Sequence, residues 1–386
     1  MTDAAVAKSG PLAGFTVIEM AGLGPVPLAG LILSEMGARV VRVERLAKAR
    51  PFLSLPPQFD LDRHGREIVR IDLKQPEGVT LLLSLIGKAD VVLEGFRPGV
   101  MERIGLGPEV CLAANPGLVY GRMTGFGQDG PLAQRAGHDL TYLAMTGVLN
   151  AIGPRHGKPV PPLNLVADFG GGAMFLIAGV LAALLERGRS GKGQVVDAAM
   201  IDGASMLAAS FFGFMAAGIW QDRRGSNLLD SGAPFYDTYR CADGRHVAVA
   251  CLEPQFFAEF ARLLPLDAEF VEKQYDTGTW PRLREAIEAR IAGKSRDEWT
   301  AIFDGSDACV APVLSFDEAV ADDHNRTRST HMRQGPLTRP APAPRFSRTA
   351  SSLAAPARSE PGATLSLFGI GPDEIDRLAK AGVIGE

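Results

Sequence analysis

Cysteine is scarce in this chain. Four occur among 386 residues (Cys111, Cys241, Cys251 and Cys309), and no two stand at metal-ligand or disulfide-framework spacing. That argues against a thiolate metal cluster or a disulfide scaffold, and leads us to expect reduced thiols in a cytoplasmic setting. Charge of one sign is lacking too. Forty basic residues against 44 acidic ones leave a net charge of −4, with no basic stripe and no long run of like charge, so nucleic acid is not an expected partner. The longest apolar stretch, residues 173–185, is too short and too glycine-interrupted to span a bilayer, and no membrane partner is expected. The opening MTDAAVAKSGPLAG has no basic segment followed by an apolar one, which predicts no secretory signal. The sequence shows no internal repeats.

What is present is a large apolar fraction, 46%, in a chain long enough to divide into two domains. The first half alternates β-branched runs with helical patterns. Strands are predicted at residues 15–20, 39–44, 68–73, 90–94 and 118–123, with helices at 27–36 and 76–88. Such alternation indicates βαβ units around a mainly parallel sheet, an α/β fold. An amphipathic helix is expected over 140–152. Residues 172–186 (GAMFLIAGVLAALLE), apolar on every side, predict a buried helix.

Near residue 225 the pattern changes. Residues 236–241 and 245–251 flank Asp243-Gly244, a hairpin signal. A helical pattern follows at 281–292, and Ser295 with Glu298 and Ser315 with Glu318 form capping boxes. Residues 1–200 and 331–386 are therefore assigned to a large domain, 201–224 to a linker, and 225–330 to a smaller α+β domain. Residues 335–362, dense in proline, alanine and serine, predict an extended strap over the surface, and a last helix starts at Pro372.

Several segments are candidates for chemistry. Gly22-Leu23-Gly24, with Glu44 closing the second strand, imitates a dinucleotide fingerprint. Pro25 and Pro27 remove the backbone donors that a pyrophosphate needs, so packing at the sheet edge is the better reading. The segment RAGHDLTYLAMTGVL sets His138 and Asp139 at a helix start, where backbone N–H groups are free and Gly137 admits close approach. Capping by Asp139 and simple packing of the histidine is the alternative. In PPLNLVADFGGG, Asp168 precedes the buried helix, either as its N-cap or as an acid that a ligand reaches across the bare glycines 170–172. Glu253 precedes Pro254, as a helix-start acid or as a partner for His138. Basic residues recur near strand ends (Arg42, Arg45, Arg63, Arg66, Lys74, Arg97, Arg103), where an open α/β sheet places its ligand crevice and where arginines suit a polyphosphate.

The runs ADVVLEGFRPGVMERIGLGPE, YGRMTGFGQDGP, AGHDLTYLAMTGVL and GKGQVVDAAMIDG, with the tail FGIGPDEIDRLAKAGVI, together resemble the family III CoA-transferase (CaiB/BaiF) superfamily over nearly the whole chain. Within it, Gly137-His138-Asp139 resembles the α-methylacyl-CoA racemase branch, because transferases of the family tend to carry an aromatic residue where this chain has His138. The resemblance implies a Rossmann-like large domain, a smaller domain, and an interlocked homodimer. It implies a role in lipid metabolism on an acyl-CoA substrate, with CoA as part of that substrate and no separate cofactor or metal.

Carried over residue by residue, the resemblance makes His138 and Asp168 the acid/base groups on the two faces of the α-carbon. Glu253 becomes the glutamate that tunes the histidine. Arg45, Ile71, Asp72, Leu73, Lys74, Gly95, Phe96, Arg97 and Arg103 become CoA contacts, and Gly137, Leu140, Thr141 and Tyr142 the loop around the thioester. Inverting an α-methyl centre requires one group to remove a proton while another delivers one to the opposite face. The enolate between needs fixed donors, for which the Asp139 N–H at a helix start is the candidate. Two alternatives remain open: a CoA-transferase using Asp168 as nucleophile, and a non-catalytic acyl-CoA binder.

Overall fold

A computed structural model describes residues 9–46 and 55–385; of the opening segment read for a signal, residues 1–8 lie outside this range. The chain forms two units, one of Met1–Thr146, Leu163–Leu207 and Ser329–Glu386, the other of Gly147–Pro162 and Ala208–Arg328.

The larger unit is built on a parallel sheet. Its strands are β1 (Thr16–Met20), β2 (Arg39–Glu44), β3 (Arg66–Ile71), β4 (Val91–Glu94), β5 (Val119–Thr124) and β6 (Val195–Ala199). They lie in the order β3-β2-β1-β4-β5-β6, and the two-residue strand Ile384–Gly385 closes the β3 edge antiparallel. The predicted third strand starts and ends two residues earlier than expected, while β6 and the C-terminal strand carried no signal long enough to read. β-Branched residues fill the centre: Val17, Ile18, Val40, Val41, Val91 and Val92 are all at most 1% exposed. Both faces are covered, as a parallel sheet requires.

Order reverses between β1 and β4. From β1 the chain winds outward through β2 and β3, then returns to β4 and winds the other way. The loops after β1 and β4 therefore diverge at the carboxyl edge of the sheet, where such folds open a ligand crevice.

A buried ion-pair network lies under helix Pro25–Glu35. Glu19 on β1, fully buried, takes Arg66 at 2.9 Å and also pairs with Arg42. Arg66 donates in addition to the carbonyls of Pro27 and His64. Gly30, in mid-helix, makes room for them: a methyl there would lie 1.9 Å from Glu19 Oε2. Arg42 and Arg66, read from the sequence as candidate polyphosphate ligands, are thus committed inside the fold.

Three helical expectations are corrected. The helix predicted over 140–152 is two, Asp139–Met145 and Val148–Ala151, broken where Gly147 takes a left-handed φ of 82°. The helix predicted over 172–186 starts as a π-helical turn, Leu165–Ala173, and continues as Met174–Ser190. It is not buried all round. Leu176, Ile177, Val180 and Ala183 face the sheet, whereas Met174 and Leu185 are exposed. The 26-residue segment is apolar and long enough to cross a bilayer. Its inner face nevertheless packs as a core helix does, with Leu176 and Val180 against Gly121 of β5 and Gly179 against Val196 of β6.

The strap is only partly as expected. Leu337–Pro340 pairs with His331–Gln334 as a hairpin, and further on residues 355–358 run along the start of β3, where Gly65 donates to the Ala355 carbonyl and Arg358 exchanges backbone hydrogen bonds with Arg66 and Ile68.

In the smaller unit, β7 (Tyr236–Arg240), β8 (His246–Ala250) and β9 (Val310–Pro312) form an antiparallel sheet. Gly244 in the β7–β8 turn has φ 79°. The helix Trp280–Ile291 and both capping boxes are present.

Candidate active site

The carboxyl edge of the larger unit's sheet gathers most of the residues singled out above. Arg45 follows β2, and it is exposed. After β3, Asp72 makes a tight turn by accepting the Lys74 N–H at 3.1 Å and the Gln75 side chain at 3.1 Å, which hold its carboxyl below the usual range. Lys74 is left exposed, whereas Ile71 is 1% exposed and its side chain belongs to the core, with Leu73 packed against the same cluster. After β4, the buried Glu94 accepts the Phe96 N–H at 2.8 Å and pairs with Arg122 at 2.9 Å. Burial raises the Glu94 pKa against these two partners. The bond fixes the Gly95–Phe96–Arg97 turn, and Arg97 and Arg103 project into solvent. Arg63, by contrast, is paired with Glu44 at 3.0 Å.

His138 is the N-cap of helix Asp139–Met145, with extended backbone (φ −137°, ψ 171°), and its N–H donates to Thr141 Oγ1 at 3.0 Å. Its side chain is exposed, as are Leu140 and Thr141. Gly137 has a reason the sequence did not disclose. A Cβ there would lie 2.4 Å from the Tyr142 ring, and one at Gly125, after β5, 2.1 Å from it. The two glycines admit Tyr142, whose ring meets Phe126 edge-on at 4.9 Å. Burial, then the nearby Asp168, pushes the Tyr142 phenol upward, with Arg97 opposing.

Asp168 lies inside the π-helical turn, not at the N-cap of a helix. Turns of this kind aim side chains that regular helix would not, and they recur at functional sites. Its Oδ2 accepts from Asn164 at 3.3 Å. Burial is the largest influence and raises its pKa; the Asn164 hydrogen bond lowers it, the Asp139 charge raises it, and His138 lowers it. His138 thus acts electrostatically on Asp168.

Glycines 170–172 are not bare. Gly170 meets Leu207, Gly171 presses on Ala204 and Gly172 on Met200, so their lack of side chains serves packing against helix Met200–Leu207. Glu253 stands in the smaller unit as the N-cap of helix Pro254–Leu263, its side chain exposed.

Two residues of the site escaped the sequence reading. Asn164 precedes Asp168 by four, the spacing of one helical turn, and that was its only signal. Gly24 was read as packing; it is the N-cap of helix Pro25–Glu35 with φ 72°, and a Cβ there would lie 3.3 Å from Asp168 Oδ2. Gly24→Ala is expected to lower turnover about tenfold, because left-handed strain of about 1–2 kcal/mol and a methyl against the carboxylate both act on Asp168. Wild-type turnover in the purified variant would contradict this. Among the described residues, no cluster of three or more His, Cys, Asp or Glu is arranged to hold a metal.

Comparison with known proteins shows the family. The model of CoA-transferase family III matches residues 12–362. The chain is 46% identical over 340 residues to the alpha-methylacyl-CoA racemase of Mus musculus, covering 88% of this chain and 87% of that protein. It is 44% identical over 336 residues to the Homo sapiens protein of the same name, covering 86% of each. A crystal structure of a CAIB/BAIF family protein from Brucella suis is similar with a TM-score of 0.79 at 25% identity, over 94% of this chain and 100% of that one.

Proposed function

Because this chain belongs to CoA-transferase family III, we propose that it is a racemase interconverting (2R)- and (2S)-2-methylacyl-CoA thioesters through an enolate. The observation that supports this reading is that His138 and Asp168, whose carboxyl pKa burial raises, stand on elements hydrogen-bonded to one another at the open end of the sheet. Each direction needs one of the two groups protonated and the other not. From one epimer, His138 takes the α-proton, the electron pair moves onto the thioester oxygen, and Asp168 returns a proton to the opposite face; from the other epimer the roles exchange. The Asp139 N–H, at N1 of its helix and without an intrahelical acceptor by position, is the proposed donor to the enolate oxygen.

The deciding experiment incubates the protein with pure 2-methylacyl-CoA epimers in D₂O and follows deuterium at the α-carbon. Incorporation and epimerisation without any acceptor acid is the expected result. Epimers that stay intact until a free carboxylic acid is added would favour the transferase reading, in which an ionised Asp168 attacks the thioester.

Arg45, Lys74, Arg97 and Arg103, exposed beside the carboxyl edge, are the proposed contacts to the CoA phosphates and nucleotide. Arg97→Ala should raise KM with little change in kcat, since the phosphates lie far from the reacting carbon. A pure kcat loss would place Arg97 at the chemistry instead.

We also propose a homodimer in a cytoplasmic setting. Exposed apolar side chains in the larger unit (Met174, Leu185, Met206, Leu207) and in the smaller (Phe212, Ile219) support an interface, and four free cysteines fit a reducing compartment. Light scattering at micromolar concentration should give twice the chain mass; a fully active monomer would refute the dimer.

A further inference from the structure

Between the two acid/base candidates in sequence stands a buried carboxyl group with unusual hydrogen bonding. Asp139 is 5% exposed. Its Oδ2 accepts two backbone N–H groups, those of Ala167 at 2.9 Å and Asp168 at 2.8 Å. Its Oδ1 is buried with no hydrogen-bond partner among the described residues. A buried carboxylate left half unsatisfied is costly, so the fold keeps it for something that a neutral cap would not supply.

We propose that the Asp139 carboxylate is the positioning residue of this site, clamping the π-helical turn that carries Asp168 to the helix start that carries His138. The inference rests on the racemase reading and adds to it a second task for Asp139, distinct from its backbone N–H. The two segments are 29 residues apart in sequence. In the turn Leu165–Ala173 the hydrogen-bond ladder is wider than in regular helix, so the orientation of Asp168 is not set by helix geometry. One carboxylate oxygen bridging two successive N–H groups sets it. The chain enters the turn through Leu163, whose φ of 56° is strained for a branched side chain, and the clamp is what holds the following residues in register.

The clamp also carries charge. The groups acting on Asp168 are Asp139, which disfavours its ionised form, His138, which favours it, and the Asn164 amide, which favours it by hydrogen bonding. Tyr142 faces it as a neutral phenol. Helices Pro25–Glu35, Met174–Ser190 and Met200–Leu207, packed against the turn, carry Glu35, Glu186, Arg187, Arg189 and Asp202, none of which is among the charges acting on Asp168.

Two variants separate geometry from charge. Asp139→Asn keeps an oxygen for both N–H groups and removes the charge; Asp139→Ala removes both. Amide hydrogen exchange at Ala167 and Asp168 reads the clamp directly, in the full chain and whatever reaction it catalyses. Deuterium incorporation from pure epimers reads its consequence. In Asp139→Ala the two amides should lose protection and kcat should fall about a hundredfold with KM nearly unchanged, the size expected when a catalytic group is misplaced by about 1 Å. Asp139→Asn should keep both amides protected and restore most of kcat. It should also move the acid limb for the 2R epimer, where Asp168 must be ionised, to lower pH. Amides equally protected in Asp139→Ala, or wild-type kcat once they are exposed, would overturn the proposal. An unmoved acid limb in Asp139→Asn would overturn its electrostatic half. Should wild type exchange no α-proton from any 2-methylacyl-CoA, the racemase reading fails, and amide protection still decides the clamp.

Discussion

Replacing His138 with alanine should cut removal of the α-proton from the 2S epimer by about a hundredfold to ten-thousandfold, the usual contribution of a positioned acid or base. Asp168→Ala should do the same for the 2R epimer. The assignment of epimer to residue follows the family resemblance, and the asymmetry itself follows from the mechanism. The group that removes the proton from one face only returns a proton for the other epimer, so deuterium can still be washed in from the face whose base survives. Net epimerisation needs both and should collapse in both variants. The measurement is single-turnover deuterium incorporation from each pure epimer. Equal residual exchange from both epimers in both variants would return His138 and Asp168 to capping and packing.

A second large effect is expected far from the reacting carbon. Glu19→Ala should destabilise the larger unit by about 3–5 kcal/mol, the cost of removing one partner from a buried ion pair. Glu19 is fully buried and is the carboxylate shared by Arg66, 1% exposed, and Arg42, 7% exposed. Burial lowers the Arg66 pKa while Glu19 supports it, so the variant leaves a guanidinium inside the fold without its counter-charge. Glu19→Gln, which keeps an acceptor, should lose less. Arg42 also donates to the Gly22 carbonyl at 3.4 Å, two residues before the glycine that faces Asp168, so turnover should fall together with stability. Urea unfolding followed by far-UV circular dichroism tests this; a loss under about 1 kcal/mol would show that the network is a surface-like pair and not a buried one.

The sequence by itself determined the α/β class, five of the six parallel strands and the helices that begin at Pro76 and Pro372. Burial leaves its period in the order of apolar residues, and proline, glycine and capping side chains mark where an element begins or ends. The short strands Val195–Ala199 and Ile384–Gly385 left no period to read, and their pairing with β5 and β3 comes from elsewhere in the chain. The family, too, was legible, because AGHDLTYLAMTGVL and its companion runs are long and ordered.

Only the tertiary structure decided which residues are available to a ligand. Arg42 and Arg66 look in the sequence like Arg45 and Arg97, yet the first two are enclosed around a glutamate 23 and 47 residues away. Glycines 170–172 suggested a bare helix start, and they are spaces filled by the helix Met200–Leu207. Asp139 could be seen as a cap for its own helix, and its carboxylate serves a turn 28 and 29 residues further on. A local pattern records whether a side chain is buried. It does not record against what, and charge pairing, close backbone approach and the hydrogen bonds of the Asp139 carboxylate all depend on that second fact.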